Sequence, residues 1–97
     1  MFLVHACFGT PKSYNAPAEL LELVQHALVP SDQVEHVSVH PRPPRYFVLG
    51  FYLLSDSLAQ AEERTEAICR RLLDDPRLPP ATLLSAQAPL VAPLLWP

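Results

Sequence analysis

A chain of 97 residues, 49% apolar, has enough greasy side chain for one small packed domain and is not globally disordered. Its formal charge of −3 disfavours binding to a phosphate backbone, which is met by clustered Lys and Arg. Only Arg42 with Arg45, and Arg70 with Arg71, bring basic residues close together, and neither pair makes a stripe.

The first apolar run, over 2–8, is partly β-branched and aromatic and stops at Gly9, Thr10 and Pro11, which reads as a strand. It lacks the basic flank of a signal peptide. No stretch reaches the ~18 apolar residues that span a bilayer, so a cytoplasmic protein is expected. Asn15 can cap a helix, with Pro17 in the first turn and Glu19 near the positive end of its dipole. Leu20, Val24, Ala27 and Leu28 recur at helical spacing, and Pro30 closes the segment.

Residues 34–40 and 46–54 are β-rich and flank the connection Pro41, Arg42, Pro43, Pro44 and Arg45, which predicts one long hairpin. Ser55, Asp56 and Ser57 offer caps for a second helix, and Ser57 with Gln60 fits a capping box. The buried stripe of that helix is predicted to be Leu58, Ala61, Thr65, Ile68, Cys69 and Leu72. Its wet face is predicted to carry Glu62, Glu63, Arg64, Glu66, Arg70 and Arg71, and Asp74, Asp75 and Pro76 stop it. After Pro79 and Pro80, residues 82–88 form a weaker fourth strand.

The order strand, helix, strand, strand, helix, strand resembles the ferredoxin-like βαββαβ arrangement. An α+β two-layer sandwich is therefore expected, a four-stranded antiparallel sheet with two helices on one face. One domain over 1–88 would carry an apolar, proline-rich tail over 89–97.

Period-two alternation assigns the sides of each strand. Phe2, Val4, Ala6 and Phe8, then Val37 and Val39, then Phe47, Leu49, Phe51 and Leu53 form the expected core set. The uncovered face then carries Leu3, His5 and Cys7, then His36, Ser38 and His40, then Tyr46, Val48, Gly50 and Tyr52. Pairing His40 with Tyr46 would set His36 opposite Gly50, with His5 approaching from the other side. A glycine inside a strand marks a bulge or tight packing, or else clearance for a ligand.

Imidazole is both a transition-metal ligand and a general base near neutral pH. His5, His36, His40 and Tyr52 are therefore the catalytic candidates, with Cys7 a further possible metal ligand. Their spacing fits no metal motif, Glu35 is expected to point away, and neither metal nor cofactor is expected. The competing reading makes them amphipathic residues of an interface. The two cysteines, Cys7 and Cys69, lack C-x-x-C spacing and read as reduced, small hydrophobes.

Gly9, Thr10, Pro11, Lys12 and Ser13 lack the spacing of a phosphate-binding loop. The prolines of the hairpin connection offer a polyproline ligand, but stiffening of the turn already explains them. His26, late in the first helix, reads as a surface residue. Leu90, Val91, Leu94, Leu95 and Trp96 give the tail an uncharged apolar surface that either packs on its own domain or reaches a partner.

Two function classes follow. The first is a non-catalytic accessory module that self-associates through the open face (Tyr46, Val48 and Tyr52), the tail, or both, as a homodimer contacting a larger protein. The alternative is a small dimeric α+β-barrel enzyme or ligand-binding protein. There His5, His36 or His40 would act as acid or base, and Tyr46 or Tyr52 would polarise a carbonyl. Nucleic acid and membrane are not expected partners.

Overall fold

The computed structural model describes residues 1–11, 19–78 and 80–89 of the chain. Strands β1 (Phe2–Gly9), β2 (Val34–Arg42), β3 (Tyr46–Leu53) and β4 (Thr82–Gln87) form one sheet in the order β2-β3-β1-β4, with every neighbouring pair antiparallel. Helix α1 (Leu20–Ala27) precedes β2, and helix α2 (Leu58–Leu73) precedes β4. The architecture is α+β. β1 and β3 are central, while β2 and β4 are edges.

Alternation separates the sides of the sheet as the residue pattern predicts. Val4, Ala6, Phe8, Val37, Phe47, Leu49, Phe51 and Leu53 are buried. They form one cluster with Leu20 and Val24 of α1 and with Ala61, Ile68, Cys69 and Leu72 of α2, so both helices bury their apolar stripes on this side. Phe8 and Phe47, paired across β1 and β3, stack with ring centroids 4.9 Å apart. The apolar cavity between the layers holds only ≈ 20 Å³, which leaves no ligand pocket there among the described residues.

Several local expectations need correction. Asn15 and Pro17 lie outside the described residues; α1 begins at Leu20 with no side-chain cap from Glu19. Ser57 Oγ accepts from the Gln60 N–H at 3.1 Å, as a cap should. The Gln60 side chain, however, accepts from the Asp56 N–H and the Ser55 hydroxyl. Leu58, in the first turn of α2, is exposed rather than part of the buried stripe. Glu62 leaves the wet face to accept the Ala88 N–H at 2.8 Å, tying α2 to the chain just after β4.

The hairpin is longer than its prolines suggest. β2 runs through Pro41 and Arg42, and Arg42 pairs with Tyr46, so only Pro43, Pro44 and Arg45 make the turn. Pro41 is tolerated because β2 is an edge strand, where an N–H facing away from the sheet is not required. Thr10 fastens the end of β1 to this turn, donating its N–H to the Arg45 carbonyl at 2.8 Å.

One ion pair joins the layers. Asp32, in the short 3-10 turn Pro30–Asp32 after α1, receives Arg71 Nη1 at 3.0 Å and Nη2 at 2.6 Å, and it also accepts the Val29 N–H at 2.9 Å. The Asp32 side chain is only 8% exposed, so these bonds are well sheltered on its side, while Arg71 stays half in water. Arg71 holds the Asp32 carboxyl below its ordinary value of 3.8, against the opposing effect of burial. Within α2, the buried Thr65 hydroxyl finds no hydrogen-bond partner among the described residues.

Asp32→Asn should cost about 2 kcal/mol in urea unfolding at neutral pH, the scale of a hydrogen-bonded charge rather than of a surface pair. Because the folded pKa is depressed, this contribution is present above 3.8 and fades as pH falls through the lowered value. An Asp32→Asn protein with unchanged unfolding midpoint would show that the pair contributes nothing.

Candidate functional site

The side of the sheet away from the helices is a polar and aliphatic surface set by register. One row across it is His36, Tyr52 and Leu3; the next is Ser38, Gly50, His5 and Gln87. Then come His40, Val48, Cys7 and Ser85, and finally Arg42, Tyr46, Gly9 and Thr82. The face residues are those alternation assigns, but the expected register is two residues off. His36 stands opposite Tyr52, and Ser38 stands opposite Gly50. The cause is the extension of β2 through Pro41 and Arg42.

Bulges occur in β2 between Val34 and His36, and in β4 opposite Cys7 and Phe8. Glu35 lies at the first, exposed on the sheet edge. Leu84 lies at the second, 54% exposed, with its side chain beside Gly9. No bulge occurs at Gly50.

Gly50 instead lets side chains from two strands meet across β3. A Cβ there would stand 2.5 Å from Ser38 Oγ, 3.5 Å from His5 Cδ2 and 3.6 Å from His40 Nε2. Over this floor Ser38 Oγ and His40 Nε2 are hydrogen-bonded at 2.8 Å, and the His5 and His40 rings lie 5.7 Å apart. His36 packs separately against Tyr52, with centroids 5.5 Å apart. Thus His5 and His40 come together, while His36 and Tyr52 form a second pair.

Ser38 is the member that residue-by-residue reading passes over. Its signal is the Ser-x-His spacing, since alternate strand positions point to the same side.

Burial lowers the His5 pKa from its ordinary 6.5, with the neighbouring His40 and Arg42 acting in the same direction. The four strands contain a single carboxylate, Glu35 at the bulge. Among the described residues no acidic group orients the His40 ring as in a catalytic triad. The Ser38–His40 pair can pass a proton between hydroxyl and imidazole, with no third member among the described residues. Among the described residues, no three His, Cys, Asp or Glu side chains gather so as to hold a metal ion. Cys69 is buried in the core, and burial pushes its thiol up to about 12; Cys7 is half-exposed on the open face.

Leu90, Val91, Leu94, Leu95 and Trp96 lie outside the described residues. Among those described, no helix is long and apolar enough to cross a membrane. Comparison with family models, curated proteins and solved structures finds no match for the chain.

Gly50→Ala tests the packing role of this glycine. No glycine of the chain has positive φ, so the cost is steric: the new methyl displaces Ser38 Oγ from His40. Overpacking of about 1–3 kcal/mol set against about 0.5–1 kcal/mol of backbone gain predicts a net loss near 1 kcal/mol. Long-range nitrogen–proton spectra of His40 should change at Nε2. An unchanged His40 spectrum would mean that Gly50 does not support the pair.

Proposed function

We propose that this chain is a small, non-catalytic accessory module that pairs with a second copy through its open sheet face and presents the assembly to a larger protein partner. We read its strand order and single helical layer as ferredoxin-like and its setting as cytoplasmic. Two free cysteines, one buried and one on the open face, support that setting.

The observation that carries the reading is the composition of the uncovered face. Leu3, Cys7, Val48 and Tyr52 are half-buried there, and Tyr46 and Leu84 are half-exposed or more, on the side opposite both helices. A contiguous surface of this kind on a small domain favours association. Strands ~4.8 Å apart, rising ~3.3 Å per residue, give a projected face of roughly 450–500 Å² before side-chain relief is added. Counted on both copies that is roughly 900–1,000 Å², close to the ~1,000 Å² total at which specific interfaces begin and below the standard size.

Val48→Arg, at the middle of the face, should convert a dimer to a monomer in light scattering while the circular dichroism spectrum stays that of the folded wild type, with the thermal midpoint falling by the dimer's contribution. Alkylation of Cys7 should slow as protein concentration rises, with Cys69 unreactive until the chain unfolds. A wild-type chain that stays monomeric at the highest soluble concentration would end this reading.

A second reading, a small hydrolytic or ligand-binding enzyme, is favoured by one observation, the Ser38–His40 bond of 2.8 Å. On it, His40 serves as base to the Ser38 hydroxyl. Turnover of an activated ester that is abolished by both Ser38→Ala and His40→Gln would support it. Rates equal to free imidazole would dismiss it.

A further inference from the structure

The ionisable groups of the open face are unbalanced in a way that bears on the pairing proposed above, and the inference below rests on that reading. His5 and His40 meet over Gly50, and Arg42 follows on the same side of β2. The groups around them are Cys7 on β1, His36 on β2, and Tyr46 and Tyr52 on β3. β4 contributes no ionisable side chain, and both helices pack on the other side. Further charged groups at the ends of the described strands are Glu35 at the β2 bulge, Arg45 in the turn and the amino group of Met1 just before β1. Within the face itself, the groups that gain positive charge on acidification are the histidines His5, His36 and His40.

From this arrangement we propose that self-association is proton-gated: two copies pair face to face while His5 and His40 are neutral, and they separate when these imidazoles take up protons. A two-fold axis through the face sets the same surface against itself. Neutral imidazoles then meet aliphatic, hydroxyl and phenol groups, and only the arginines toward the hairpin end carry charge. Acidification places new cations from both copies in one poorly solvated layer that holds no carboxylate to receive them.

The occupant is a second copy, which the area of the apolar and neutral face supports and charge permits. The acidic residues behind the net charge of −3 lie almost wholly outside the strands, so pairing through this face keeps them apart. For an imidazole of ordinary pKa that must remain neutral in the dimer, the dissociation constant rises about 30-fold between roughly pH 8 and pH 5, and the lowered pKa of His5 makes its own share smaller than that. Several such groups in the two copies multiply the effect.

The experiment is light scattering with sedimentation of the full chain at about pH 8 and about pH 5, at one ionic strength, with circular dichroism at each pH. The expected result is a dimer at the higher pH and a folded monomer at the lower. Circular dichroism checks the fold at the lower pH, where the Asp32 contribution is still in place because about 5 lies above 3.8.

The double variant His5→Gln with His40→Gln should stay dimeric at both values. Should that variant misfold, histidine ring titration of the wild type gives the same answer, with the pKa values of His5 and His40 rising as the sample is diluted into monomer. A wild-type dimer that persists with unchanged affinity at the lower pH overturns the gate and leaves face pairing intact. Concentration-independent histidine pKa values in a chain that does dimerise also overturn the gate. A monomer at both values overturns face pairing itself.

Discussion

Both helices of this chain pack against one side of a four-stranded sheet, and that one-sidedness constrains every other feature of the molecule. Leu20 and Val24 from α1, and Ala61, Ile68, Cys69 and Leu72 from α2, complete a core whose sheet half is supplied by alternate residues of β1, β2 and β3. Burying that set takes a contiguous block of apolar side chains out of water, which is the main favourable term for a domain of this size. The Asp32–Arg71 pair closes the same layer from its rim, joining the turn after α1 to the last turn of α2. None of these groups is available on the other side of the sheet.

That other side is built on a different principle. In place of interdigitated aliphatics it holds a hydrogen-bonded hydroxyl and imidazole, a second imidazole beside them, and a histidine packed on a tyrosine. Gly50 makes this possible. It removes the side chain that would otherwise separate β2 from β1, so residues on strands that are not neighbours touch across β3. The face is thereby preorganised without being dry, since its members stay half-exposed.

Most of the fold was readable in the residues because period-two alternation is local. Phe47, Leu49, Phe51 and Leu53 fall on one side wherever the strand is placed, and all four are buried. Register is a pairwise property, and there local reading failed. Treating Pro41 as turn shifted β2 against β3 by two residues, a shift that preserves which side each residue faces but changes its partner. The neighbours of Gly50, and with them the Ser38–His40 bond, were therefore out of reach. Recognising Pro41 as an edge-strand proline requires knowing that β2 is an edge, which is a fact about the whole sheet. The Asp32–Arg71 pair, separated by 39 positions, left no local pattern at all.

The placement of charge ties the two sides together. Carboxylates are nearly absent from the strands and abundant on and after α2, at Glu62, Glu63, Glu66, Asp74 and Asp75. Those that are engaged serve the fold: Glu66 pairs with Arg70, Asp75 with Arg77, and Glu62 holds the Ala88 N–H. A carboxylate on the sheet face, next to His5 or His40, would raise the imidazole pKa and hold the ring as a cation near neutral pH. Without one, burial together with the neighbouring His40 and Arg42 holds the His5 pKa below its ordinary value. A surface proposed to pair with a second copy loses least when its groups are neutral, and among the described strand residues of this face Arg42 alone carries a fixed charge.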